Sequence, residues 1–103
     1  MILKVFSVFD SKAEAYMQPF FMATRGQAIR AFSDTCSDKS TQFSRHPGDF
    51  TLFEIGSYDD STGVMSSYEA KISLGVATEF LTSKDSGIQD TAARFVNRNG
   101  GVQ

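Results

Sequence analysis

DFTLFEIGSYDDSTGVMSSYEAKI, residues 49–72, decides the fold. Large apolar side chains recur at a period of two from Phe50 to Tyr58, as in a strand, and a second run begins at Val64. Between them DDSTG has turn chemistry, with Gly63 able to take positive φ, so the stretch reads as a β-hairpin. On its first arm Phe53 and Ile55 fall on one face, and Phe50, Leu52, Gly56 and Tyr58 share the other. One of these faces must be covered, because a strand's phase decides which side chains leave water.

The cover is found upstream. TRGQAIRAFSDTC, residues 24–36, is the clearest helix: Thr24 and Gln27 have the spacing of a capping box, and Ile29, Phe32 and Cys36 form an apolar stripe with Ala28 beside them. The helix should fade in SDKST, where short polar side chains compete for the backbone. Phe53 and Ile55 alternate in phase, so they are expected to form the floor under this helix, with one set from the first strand. That strand, ILKVFSVFD, is apolar in both alternation sets and should be central. PFFMA offers a short second strand with Pro19 at its start, DSKAEAYMQ before it is polar, and LGVATEFL suits one or two helical turns. The expected fold class is α+β, a small, mainly antiparallel sheet with one principal helix packed on one face. It should occupy residues 1–81 as a single domain, with residues 82–103 an extension holding a short amphipathic helix at 88–97 and a frayed Gly-Gly end.

Composition bounds the function. A chain of 103 residues suits one domain, and ten Phe supply core material. No apolar run approaches the ~20 residues of a membrane span, so no membrane partner is expected. MILKVFSVFD reaches an acid too soon for a signal peptide, and the lone Cys36 has no disulfide partner, which together suggest a reducing cytoplasm. The net charge of −2 makes no case for nucleic acid, so any polyanion must meet a local patch.

Candidate chemistry is sparse. His46 precedes Pro47-Gly48, a strong turn signal, and reads as a loop residue. As a general base it lacks a nucleophile and an orienting acid fixed by spacing, and as a metal ligand it has only carboxylates for company. Asp49, Asp59 and Asp60 lack the acid ladder of a calcium loop. Cys36 sits on the helix stripe, where a small core residue is the simpler reading than a nucleophile. The chain therefore reads as a non-enzyme without cofactor or metal.

A charge asymmetry remains. Arg25, Arg30, Lys39, Arg45 and His46 lie within twenty-two residues that hold only two acids, Asp34 and Asp38. Such a basic face would meet phosphates, and exposed aromatics beside it would stack bases. Five basic groups that merely solvate a helix would look the same.

The motifs "VFDSKAEAYMQPF", "GQAIRAF" and "HPGDFTLFEIGSYDDSTG" occur in an order and spacing similar to the small nonstructural protein of gokushovirus-type microviruses, the single-stranded DNA phages. The resemblance covers roughly residues 1–80. It implies a nonstructural DNA-binding protein, favouring single strands, that acts in viral DNA replication or the switch to single-stranded genome synthesis in the host cytoplasm. The family's arginine in Ala-x-Arg-x-Phe is Arg30 here, and its His-Pro is His46-Pro47. A protein-interaction module that binds the phage replication initiator or a host replication protein is the competing expectation, and a homodimer through an exposed sheet edge suits either role.

Overall fold

The computed structural model describes residues 1–81, and the expected extension at 82–103 lies outside them. The fold is mixed α and β. Strand β1, Ile2–Asp10, is the hub. It pairs antiparallel with β2, Ala15–Tyr16, and β3, Phe20–Met22, along one edge and with β4, Phe50–Asp59, along the other. Strand β5, Val64–Val76, closes the hairpin on β4, which gives the order β2-β1-β4-β5 with β3 also on β1. Four consecutive β1 residues, Val5 to Val8, are buried, as its two apolar sets require.

Helix α1, Arg25–Ser37, packs on one face of the sheet and buries Ala28, Phe32 and Cys36. Thr24 Oγ1 accepts from the Gln27 N–H at 3.2 Å, and Gln27 Oε1 accepts from the N–H of Ala23 at 3.2 Å, so the cap forms with its return bond one residue earlier than a standard box. Toward its end the hydroxyls of Thr35 and Ser37 donate back to the carbonyls of Ala31 and Ser33, and the helix stops. Thr41 then caps a single turn, α2, Gln42–Arg45, and a 3₁₀ turn at Pro47–Asp49 delivers the chain into β4. Neither α2 nor β2 was expected: four and two residues are too few for any periodicity to register. Residues 77–81 are helical, which shortens the expected LGVATEFL helix because Leu74, Gly75 and Val76 stay in the sheet.

The floor under α1 is the opposite set from the one expected. Phe50 and Leu52 of β4 join Phe6 and Val8 of β1 against Ala28, Phe32 and Cys36, and Ala77, Phe80 and Leu81 close the same core. Phe53 is half-buried and faces away, opposite Ser7. The even-numbered set is buried even though it continues into Glu54, because α1 supplies Arg25 to pair with that carboxylate.

A bulge then changes the phase. Val5 pairs with Gly56 but Phe6 pairs with Glu54, so Ile55 is an extra residue in β4. Beyond it Tyr58 pairs with Leu3 and lies on the face away from α1, not with Phe50 and Leu52 as simple alternation requires. Gly56 is compulsory here, since a Cβ would stand 2.3 Å from the Ser66 carbonyl oxygen.

Cys36 is completely buried, and burial pushes its thiol up to about 11. A thiolate is the reactive form, so native protein at pH 8 should resist an aromatic disulfide reagent and react only on unfolding. Labelling at the rate of a free thiol, without denaturant, would contradict this packing.

A candidate nucleic-acid interface

Among the described residues, the helices contribute their buried side chains to one face of the sheet, and the other face carries aromatics. Register puts Phe9 of β1 opposite Tyr16 of β2, and their rings meet at 4.9 Å. Phe53 of β4 approaches Tyr16 edge-on at 5.7 Å, and the Lys71 ammonium of β5 lies 5.7 Å from the Tyr16 ring centre. Farther along β1, Phe21 of β3 sits opposite Val5 and makes an edge contact with Tyr58 at 5.4 Å. These are two separate aromatic platforms, with Tyr16 and Phe21 their most exposed members at 44% and 40%. Beside the second platform a cavity of about 150 Å³ opens among Val5, Pro19, Ile55, Gly56, Met65 and the serines at 66 and 67.

The basic residues singled out from sequence lie in the helical layer, across the sheet from these rings. Arg25 and Arg30 are five residues apart, about 140° round the helix, so they do not share a face. Arg30 is exposed, Lys39 follows the end of α1, and Arg45 donates from Nη1 to the Ser40 carbonyl at 3.1 Å. His46 is exposed and serves through its main chain: its N–H donates to the Gln42 carbonyl, and its carbonyl accepts from the Asp49 N–H. Lys39, Arg45 and His46 gather toward one end of α1, while Arg25 stands at the other, ~20 Å away at 1.5 Å per residue. Asp59 accepts from Ser61, and Asp60 binds the N-terminal ammonium at 2.8 Å. Among the described residues no three His, Cys, Asp or Glu converge as metal ligands, and no helix is long and apolar enough to cross a membrane.

Arg25 has a different task. It lies seven residues before Phe32, nearly in line with the buried stripe, and its Nε donates to Glu54 Oε1 at 2.7 Å. Glu54 is 1% exposed. Its second oxygen accepts from the Tyr68 hydroxyl at 2.6 Å and faces the Lys4 ammonium at 3.6 Å. Burial works against its charge, but the hydrogen bonds from Tyr68 and Arg25 and the charges of Arg25 and Lys4 outweigh it, holding the carboxyl below its ordinary range. The carboxylate in turn raises the Tyr68 phenol, with burial adding to the effect. This node fixes the start of α1 to β1, β4 and β5. The sequence held a signal for it: Glu54 is the one acid in the core-facing set of a strand that buries both its neighbours in phase.

The architecture is thus mixed α and β, an antiparallel sheet with helices on one face and, among the described residues, the aromatic platforms and Lys71 on the other. Residues 3–80 match the model of the phage ORF5 protein family, and the chain belongs to that family. It is a small phage protein. No curated protein and no solved structure matches it.

Proposed function

We propose that the protein binds single-stranded DNA without catalysing a reaction, and acts in replication of a phage genome. The observation that carries this reading is the sheet face that no helix of the described residues covers, with its two aromatic platforms and Lys71. Every base has a π-face, so solvent-accessible rings on a rigid sheet bind unpaired bases with little regard to sequence, and duplex bases are already stacked on one another. Membership of a phage family and the motifs shared with gokushovirus proteins support a role in making or handling single-stranded genomes.

The sheet face and the basic residues predict different salt dependence. Single-strand affinity falls with a log–log slope of roughly −0.7 per phosphate contact. A site built on rings with Lys71 as its cation should show a slope of about −0.7, and a site on Arg25, Arg30, Lys39 and Arg45 one of about −2 to −3. The test is binding of labelled single-stranded and duplex DNA at two or more salt concentrations, for the wild type, Tyr16→Ala and Arg30→Ala. A shallow slope with loss in Tyr16→Ala supports the sheet face. A steep slope with loss in Arg30→Ala moves the site to the helical layer. No binding at low salt defeats the DNA reading and favours an interaction module for a replication protein. That alternative has its own supporting observation, an apolar groove of about 360 Å³ lined by Met17, Phe20, Met22, Phe32 and Phe43 among others.

A further inference from the structure

The two platforms are joined by one strand, which fixes their separation. Phe9 marks the first platform and Val5, opposite Phe21, the second. Four residues at ~3.3 Å each put about 13 Å between them. The ground between has small strand residues: Ser7 lies midway, buried beside Phe53 with its hydroxyl turned to the Met17 carbonyl at 2.7 Å, and Ser73 flanks Phe53 from β5. No large side chain of β1 stands on this face between Val5 and Phe9.

From this we infer that the platforms form a single track that holds a run of three to five nucleotides, with one base stacked on the Tyr16 ring and edged by Phe53 and another stacked on the Phe21 ring and edged by Tyr58. The inference rests on the proposed single-strand binding. A strand stacked at ~3.4 Å per nucleotide crosses 13 Å in about four steps, and one drawn out to twice that rise crosses in about two. Lys71 lies over the Tyr16 ring, and an incoming base takes that ring face as the flexible lysine swings out to its phosphate. The cavity beside Gly56 adjoins the other end, so the base on Phe21 has an apolar recess rimmed by two serines beside it.

The experiment is an NMR titration of the full chain with oligothymidylates of two to eight nucleotides, following the ring protons of Tyr16 and Tyr58. A dinucleotide reaches one platform at a time. Affinity should rise steeply between two and five nucleotides, by roughly 10- to 100-fold for the second stacked base, and then only statistically. Phe21→Leu keeps the apolar bulk and removes the stacking ring, and Phe21 is exposed enough for the variant to fold. It should abolish the gain between two and five nucleotides and leave dinucleotide binding at Tyr16 intact. If longer oligonucleotides bind no better than the dinucleotide, or if Phe21→Leu leaves the length dependence unchanged, the track is wrong while single-strand binding stands. If no oligonucleotide of any length shifts either tyrosine, the proposed function itself fails on this face.

Discussion

Leu52→Ala is expected to lower the unfolding free energy by about 2–5 kcal/mol, while Phe53→Ala, one residue along, costs only about 1 kcal/mol. Leu52 is fully buried among Phe6, Phe32, Phe50 and Ala77, so truncation removes its transfer energy and leaves a cavity that the sheet and α1 cannot collapse into. Phe53 loses an edge contact with Tyr16 and part of its burial on the far face, a change in the range of a single aromatic pair. For a small domain with ~5–15 kcal/mol in all, the first change is severe and the second mild. Denaturant melts of the two variants measure the difference. Equal costs, or a larger cost at Phe53, would show that the strand faces are the other way round.

The second large effect is at Arg25. Arg25→Ala is expected to cost about 2–3 kcal/mol, because a fully buried carboxylate loses its charged hydrogen-bond donor and keeps only Tyr68 and Lys4. The cost should depend on pH in a definite sense. Glu54 is held below its ordinary range in the folded protein, so its contribution is present above the unfolded value of ~4.3 and is lost as pH falls through the folded pKa. At neutral pH the gap between wild type and variant should therefore be widest, and the two stability curves should converge in acid. A gap that stays constant from neutral pH to well below the carboxylate range would mean that Arg25 acts through packing of its alkyl chain and not through its charge.

Legibility in the sequence varies along the chain. The hairpin, the central first strand, and α1 with its Thr24 cap are local patterns and were readable, because capping, periodicity and turn chemistry are properties of neighbours. The covered face of β4 was not. Both alternation sets carry large apolar residues, and Glu54 weighs against burying its own set until Arg25, twenty-nine residues away in sequence, pairs with it. The candidate site divides in the same manner. Lys39, Arg45 and His46 are close in sequence and lie toward one end of the helical layer. The aromatic platforms draw on Phe9, Tyr16, Phe21, Phe53, Tyr58 and Lys71, which only strand register brings together.

The extra residue at Ile55 makes β4 two strands spliced out of step. Before the splice, the even-numbered positions answer to the helix; after it, the same phase answers to the open face. The hairpin arm beyond Gly56 can therefore exchange its exposed side chains without disturbing the core, and the core can change without reaching the arm. One bulged residue gives a sheet this small two independently variable surfaces: were Ile55 paired in register instead, Tyr58 and its neighbours would turn toward the helix with every amino acid type still in place.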